Sequence, residues 1–361
     1  MEFAGVVLGL SVIQGALQFG DLGSYNASLR AALPAQDRVE LRESAVFLSS
    51  VVCLIGVVLG VLVGLTSNPM GWILAAGCAT AFLLAPNKAH SSGAIQLGEE
   101  RIATKHNLVW QNAPKLGSIV GSFGGSAVAS MAGALVSAAF SYRLELPRFV
   151  SWRVLRTHAK VIIPGFVLSL SAFLMAWTDT YALSTVAGLE DAGQYQAVVR
   201  PLTGITYLYL PIVSLIQAAH NAGLKRRERR LMVVAVALGF LGAGAISGGM
   251  WLFGPTIWPE FEFALPVILA CGFSASLFAL CTVVGGQLTL RGKQGLAAGT
   301  TVLGALVLLG LSLVLIPRFG AFGAGLASAS SWLFVTICHS AILAVVVLRQ
   351  RAEKKEADES H

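Results

Sequence analysis

Charged side chains are scarce in this sequence. Asp, Glu, Lys and Arg together make up 12% of its 361 residues, whereas hydrophobic side chains make up 55%, and the mean hydropathy is +0.74. A water-soluble domain needs a polar and charged surface, so this composition excludes a soluble enzyme, a nucleic-acid-binding protein and a disordered protein. A polytopic membrane protein is the class that fits.

Residue patterns of metal sites and catalytic centres are also missing. The five cysteines lie inside apolar runs without Cys-x-x-Cys spacing, so they are interpreted as small buried side chains. The outer segments between the apolar runs are short and carry no nucleophile or metal-ligand constellation. A membrane enzyme such as a glycan polymerase or ligase is therefore disfavoured, and we expect no catalytic residues, no metal and no cofactor.

Long apolar runs are abundant. A helix needs about 20 mostly apolar residues to cross a membrane, and continuous runs favour helices over alternating strands. We predict an all-α fold with eleven transmembrane helices, two each in 44–87 and 106–142. The turn inside 44–87 is predicted at 67–71, and the remaining spans are 3–20, 161–189, 194–224, 231–259, 263–290, 294–317 and 319–348.

The positions of Lys and Arg predict the orientation. One alternate set of loops contains nearly all loop Lys and Arg residues, among them Lys88 and the cluster 225–230, whereas the other set contains Arg318 alone. Basic loops stay in the cytoplasm. We therefore predict a multi-pass protein of the plasma (inner) membrane with a cytoplasmic C-terminus, and the net charge of +7 needs no nucleic-acid partner.

A repeated motif predicts two halves. Residues 2–7 and 190–195 both place an acidic residue and a glycine at the outer mouth of a span. We predict two pseudo-symmetric lobes around a central cavity: an N-terminal lobe (1–142), a basic cytoplasmic linker (143–160), a C-terminal lobe (161–348) and a cytoplasmic tail (349–361).

The first copy of the motif has no span before it. A full span, 161–189, precedes the second copy. We therefore predict that the N-terminal lobe lacks its first helix, and that the complete protein has twelve spans. A true eleven-span protein is the alternative.

Several short motifs resemble those of one transporter family. Residues 2–5 (Glu-Phe-Ala-Gly), 19–23 (Phe-Gly-Asp-Leu-Gly) and 27–30 (Ala-Ser-Leu-Arg) are similar to its opening. Asp179 with the 192–195 run (Ala-Gly-Gln-Tyr), and the Pro- and Gly-containing run 315–327, are similar to later motifs. In order and spacing they resemble the polysaccharide-biosynthesis (Wzx-like) flippases of the MOP superfamily, which also contains MATE drug exporters. We expect the family's first helix to be lacking from this sequence.

This resemblance implies a transporter. It would flip an undecaprenyl-diphosphate-linked oligosaccharide to the outer leaflet by alternating access of two lobes, for cell-surface polysaccharide synthesis. The implied partners are the lipid-linked oligosaccharide and membrane lipids, with a proton or Na+ gradient as the candidate driving force. A polysaccharide polymerase and glycosyltransferases are candidate protein partners.

Three basic residues are candidates for binding the diphosphate. Charges inside spans are costly and usually face a cavity or a partner. Lys115 lies inside a predicted span, Arg200 near the outer end of another, and Arg30 at an inner mouth. A Lys115 that extends to the membrane surface, and a structural ion pair between Arg200 and Asp179, are the alternatives.

Three further residues are candidates for coupling transport to an ion gradient. Asp179 could take up and release a proton, Asp21 follows the first span, and His220 is a potential pH switch. Structural roles remain open for each, as a helix-break residue for Asp21 and a helix-end residue for His220.

Two rival functions remain. A MATE-like exporter of cationic drugs shares the lobed fold, but the in-span charge here is two basic residues, Lys115 and Arg200, to one acidic residue, Asp179. This balance favours an anionic cargo. An inactive, truncated membrane scaffold is the other rival, because the first helix is predicted to be missing.

Overall fold

The computed structural model describes most of the chain. The described residues are 9–10, 12–13, 15–17, 33–66, 69–97, 99, 101–102, 105–106, 113–114, 116–117, 127–141, 150–257, 259 and 264–359.

These residues form helices, with no strand among them, and the predicted all-α fold is confirmed. Ten helices have complete bounds: α1 (Ala35–Leu65), α2 (Pro69–Leu97), α3 (Ala127–Ser141), α4 (Trp152–Thr157), α5 (Ala159–Val186), α6 (Leu189–Thr203), α7 (Thr206–Asn221), α8 (Lys225–Ile257), α9 (Leu265–Leu290) and α10 (Gln294–Glu359).

Five of the described helices are long and apolar enough to cross a membrane. They are α1, α5, α8, α9 and the Gln294–Gln350 part of α10. A helix pairs its backbone N–H and C=O groups along its own length, as the hydrocarbon core demands. The chain is a multi-pass membrane protein.

The last helix is a hairpin. Gly320 has a non-helical backbone with φ 54° and ψ −132°, and this bend separates a first arm (294–319) from a second arm (321–359). The arms lie against each other, since the His339 ring contacts the Ala297 carbonyl oxygen across the hairpin at 3.3 Å. The bend falls where the sequence predicts the boundary between two spans.

The predicted span 194–224 is an interrupted helix. It contains the end of α6, a turn at Gly204 and Ile205, and α7. Pro201 has no N–H for the regular helical hydrogen bond, and the Gly204 N–H donates to the Arg200 and Pro201 carbonyls at 3.2 and 3.0 Å. This tightened turn lies one helical turn after Arg200.

Two groups of helices have separate apolar cores. Helices α1, α2 and α3 enclose one core with the described residues of the first span, while α5 to α10 enclose the larger one. The groups meet where α7 packs against α2. We call them the N-terminal and C-terminal groups.

Helix α1 buries its small residues and exposes its large ones. Gly60 and Gly64 are buried, whereas Leu54 and Leu62 are more than half exposed. A Cβ atom on Gly60 would lie 2.5 Å from the Ala75 backbone nitrogen of α2. Lipid accommodates the large side chains, so the small ones bring the helices into contact.

A short segment ties the two groups together. The Ser151 hydroxyl donates to the Glu40 carboxylate at 2.6 Å, and its N–H donates to the Ser44 hydroxyl at 3.1 Å. His158 Nε2 lies 2.8 Å from the Asp37 carboxylate. An apolar cluster of Leu41, Val154 and Ile162 fills the same junction. Helix α4 is therefore fixed to the start of α1.

Candidate functional site

A polar cavity lies inside the C-terminal group, among α5, α6, α7, α9 and α10. Its volume is about 90 Å³, which holds several waters or a small cation but not an oligosaccharide. Its polar lining residues are Asp179, Tyr195, Thr203, Thr206, Tyr209, Ser274 and Ser328. In a bundle made largely of apolar helices, this concentration of polar groups marks a candidate functional site.

Asp179 is the central charge of this cavity. Its side chain is 5% exposed, and its carboxylate accepts three hydrogen bonds. The Tyr195 hydroxyl donates to Oδ2 at 2.7 Å, while the Thr180 N–H and hydroxyl donate to Oδ1 at 2.7 and 3.2 Å. A buried carboxylate needs such donors to remain in place. They fix the orientation of Asp179 towards the cavity.

The turn between α5 and α6 brings Asp179 and Tyr195 together. Gly188 has a φ of 104°, which lets the chain reverse directly after α5. Glu190 and Asp191 follow in the first turn of α6, where negative charge complements the helix dipole. The Asp and Tyr of the family-like motif thus form one hydrogen-bonded pair.

The structure places Arg200 beside this cavity, whose described lining includes its neighbours Val199 and Leu202 but not Arg200 itself. The Arg200 guanidinium carbon lies 4.2 Å from the centroid of the Trp177 ring, a distance typical of a cation–π contact. Trp177 precedes Asp179 by two residues in α5, and the charge of Arg200 interacts with the Asp179 carboxylate. Arg200 thus lies beside the stretch of α5 that carries Asp179.

His220, the third described candidate, lies elsewhere. It closes the end of α7, where its Nδ1 lies 3.1 Å from the carboxylate of Glu228 at the start of α8. It does not belong to the described lining of the Asp179 cavity. The structure thus separates His220 from the other two residues and places it in a helix–helix turn.

Three candidates fall outside the described residues. They are Lys115 and Arg30, expected to bind the diphosphate, and Asp21, expected to act in coupling. Their roles stay predictions.

Lys88 is a buried cation that sequence reasoning missed. The prediction that it lies in a basic loop is wrong, because α2 continues through it to Leu97. Its side chain is 9% exposed, and its ammonium donates to the Leu17 carbonyl. The neighbouring Asn87 lies 3.2 Å from the buried His106 ring. The sequence gives little sign that the helix continues, because the run His90-Ser91-Ser92-Gly93 consists of poor helix formers.

Lys88 lies in the helix that touches the other group. Helix α2 packs against α7, and α7 begins directly after the turn that follows Arg200. Each group therefore carries one of these basic side chains close in sequence to the α2–α7 contact: Lys88 lies in α2 itself, and Arg200 lies in α6, directly before α7.

Comparison with known proteins gives one curated relative. No family model matches the chain. The probable low-salt glycan biosynthesis flippase Agl15 of Haloferax volcanii is 24% identical over 219 residues, which are 57% of this chain and 45% of Agl15. The chain thus spans less than half the length of this relative.

Solved structures show the fold. A Vibrio cholerae MATE transporter, VcmN, matches with a TM-score of 0.63 and 12% identity, over 95% of this chain and 89% of that one. A MOP superfamily transporter from Pyrococcus furiosus, whose reversed binding-pocket polarity suggests a different function, matches with a TM-score of 0.57 and 14% identity, over 97% and 85%. The chain has the fold of MATE transporters, and the resemblance to MOP-superfamily flippases that its motifs predict is confirmed.

Proposed function

We propose that this chain flips an undecaprenyl-diphosphate-linked oligosaccharide across the plasma (inner) membrane by alternating access, for cell-surface polysaccharide synthesis. The observation that carries the proposal is a basic side chain held within the helices of each group, Lys88 in α2 and Arg200 in α6. The two lobes would be 1–142 and 161–348, joined by 143–160, with a cytoplasmic C-terminus.

The energetics favour an anionic cargo. A charge inside a span is expensive and is retained when it binds a ligand or a partner. A diphosphate offers several anionic oxygens, and a guanidinium such as that of Arg200 can donate two parallel hydrogen bonds to them. The glycan itself is polar and would pass between the groups, because the Asp179 cavity of about 90 Å³ is too small for it.

Related proteins support this reading. Agl15 is described as a probable glycan biosynthesis flippase, and the Pyrococcus furiosus transporter is described as having a binding pocket of reversed polarity. Both descriptions concern proteins similar to this chain, and both agree with a MOP-fold transporter whose cargo is not a cationic drug.

Asp179 is the proposed coupling residue. Its carboxylate lines a water-sized cavity and is held by Tyr195 and Thr180. A proton or Na+ entering this cavity would neutralise the charge and weaken its interaction with Arg200. Such a change at the contact between α5 and α6 would favour one arrangement of the groups over another.

A MATE-like exporter is the second candidate function. It is supported by the fold likeness to VcmN and by the buried carboxylate of Asp179, which a cationic drug would satisfy. The two candidates differ in cargo charge, so basic residues matter for the flippase and acidic residues for the exporter.

Complementation of a bacterial strain that lacks its own flippase tests the proposal. We expect the chain to restore surface glycan and to leave resistance to cationic drugs unchanged. Arg200→Gln should reduce the restored glycan by about tenfold or more, whereas the exposed Arg229→Gln should not. The contrary outcome requires a chain that is inserted in the membrane and a strain that supplies a matched glycan. Drug resistance without surface glycan under these conditions would instead support the exporter.

Lys88→Met separates cargo binding from a structural role. Methionine is of similar length and removes the costly buried charge, but it also removes the donor to the Leu17 carbonyl oxygen, at about 1–3 kcal/mol. These two effects oppose each other, so we expect little change in the melting temperature in detergent, together with loss of glycan transport. Lys105→Met removes an exposed lysine as the control. Full transport by the Lys88→Met variant would show that this cation does not meet the cargo.

A further inference from the structure

A second site lies at the open end of the α10 hairpin, next to the turn from α9 and away from Asp179. A groove of about 530 Å³ opens between the α9–α10 turn and the end of the second arm of α10. Arg291 and Lys293 project from the turn, and Arg349 from the second arm. The other described lining residues are Leu296, Ala341, Ile342, Val345, Val346 and Gln350.

The floor of this groove is apolar and open. Leu296 and Val345 are 52% and 51% exposed, which suits contact with lipid chains. The charges lie where the apolar helices end: α9 stops at Leu290, and Arg349 is the first charge after the apolar run of the second arm. Cations therefore adjoin exposed apolar side chains at the membrane–water boundary.

The charge of the groove has one sign. Three of the nine described lining residues are basic, and none of the nine is acidic. Arg291 is held in position because its Nη1 donates to the carbonyl oxygen of Gln287 at 3.1 Å and to the Gln287 side-chain oxygen. A guanidinium carries five N–H donors in a rigid plane, so this fixed arginine can also face a phosphate.

We propose that this groove binds an anionic phospholipid. The lipid phosphate would lie between Arg291, Lys293 and Arg349, with its acyl chains along Leu296 and Val345. A lipid bound in this way bridges the α9–α10 turn and the end of the second arm. It would hold the hairpin together at the membrane surface, independently of what the protein transports.

Native mass spectrometry of the purified chain in detergent tests this site. The probes are dioleoyl-phosphatidylglycerol, dioleoyl-phosphatidylcholine and inorganic phosphate, each added in titration. We expect tighter binding of phosphatidylglycerol than of phosphatidylcholine, and a loss of about fivefold in phosphatidylglycerol affinity for each cation removed. Lys293→Gln with Arg349→Gln leaves the Arg291–Gln287 contacts intact and is the principal variant.

Matched controls distinguish a built site from diffuse attraction. Gln substitutions at Arg226 and Arg229 remove two exposed charges from a basic stretch of α8 and should leave the affinity unchanged. Lys293→Arg with Arg349→Lys keeps the charge and should keep binding. Leu296→Gln should weaken binding of the lipid but not of inorganic phosphate.

Two results would overturn the proposal. Equal losses in the α8 control and the groove variant would show that phosphatidylglycerol binds by surface charge alone. Inorganic phosphate that binds the groove as tightly as phosphatidylglycerol would show an anion site without a lipid.

Discussion

Replacing Asp179 with Asn is expected to stop transport while leaving a folded, membrane-inserted chain. The substitution keeps the size of the side chain and one acceptor oxygen for Tyr195, but it removes the charge that a proton or cation would neutralise. The three hydrogen bonds to the carboxylate would weaken, at a cost of about 1–3 kcal/mol in stability. We expect glycan transport to fall by about tenfold or more, because an ionisable group inside a membrane usually serves function.

Ion-driven flipping in proteoliposomes, with a melting temperature in detergent, is the measurement for Asp179. Asp191→Asn, on an exposed position of α6, is the control for loss of a carboxylate. Tyr195→Phe keeps the Asp179 charge and removes one donor, so it should shift the ion dependence and preserve transport. If the Asp179→Asn variant loses stability but transports normally per folded molecule, the carboxylate is structural.

Gly323→Ala is expected to be the most damaging single-methyl substitution in the α10 hairpin. A Cβ atom on Gly323 would lie 2.2 Å from the Leu315 carbonyl oxygen, and backbone atoms cannot move aside as a side chain can. Overpacking of this kind costs about 1–3 kcal/mol or more. Gly320→Ala, which forces a side chain into a positive φ of 54°, should cost about 1–2 kcal/mol.

Thermal unfolding in detergent ranks these glycine variants. Gly310→Ala is the matched control, because no neighbouring atom lies within 4 Å of its added Cβ and alanine favours the helix by about 0.5–1 kcal/mol. We expect the melting temperature to be highest for Gly310→Ala and lowest for Gly323→Ala. Equal melting temperatures for Gly310→Ala and Gly323→Ala would mean that the two arms of α10 can move apart near the Gly320 bend to make room for the added methyl group.

The large features of this fold could be predicted because lipid imposes one rule. Each span must pair its backbone hydrogen-bonding groups within the protein, so long charge-free runs place the apolar parts of α1, α2, α8, α9 and both arms of α10. The same rule fails where a helix contains a charge. Lys88 ends the charge-free run at Asn87, yet α2 continues, since its ammonium is satisfied by a backbone carbonyl.

The site was predictable in part. An acidic residue in a span points to Asp179, and the family-like motif contains Tyr195, but the hydrogen bond between them depends on how α5 turns into α6 at Gly188. Nothing in the sequence separates the faces of α1 beyond Ser50, where every position is apolar or glycine. Size separates them in the structure: Gly60 and Gly64 are inside, whereas Leu54, Leu59 and Leu62 are outside.

The bonds of Ser151 and His158 to the start of α1 change the role of the segment between the groups. A basic linker that hung free would let the groups separate widely, since a flexible chain tolerates many end-to-end distances. Here the residues that flank α4 bond to Glu40, Ser44 and Asp37 of α1. Only His158 separates α4 from α5, so almost no flexible chain remains before α5. In the proposed alternating access, this contact would act as a pivot between the two groups, and the displacement would be largest at the opposite ends of the helices.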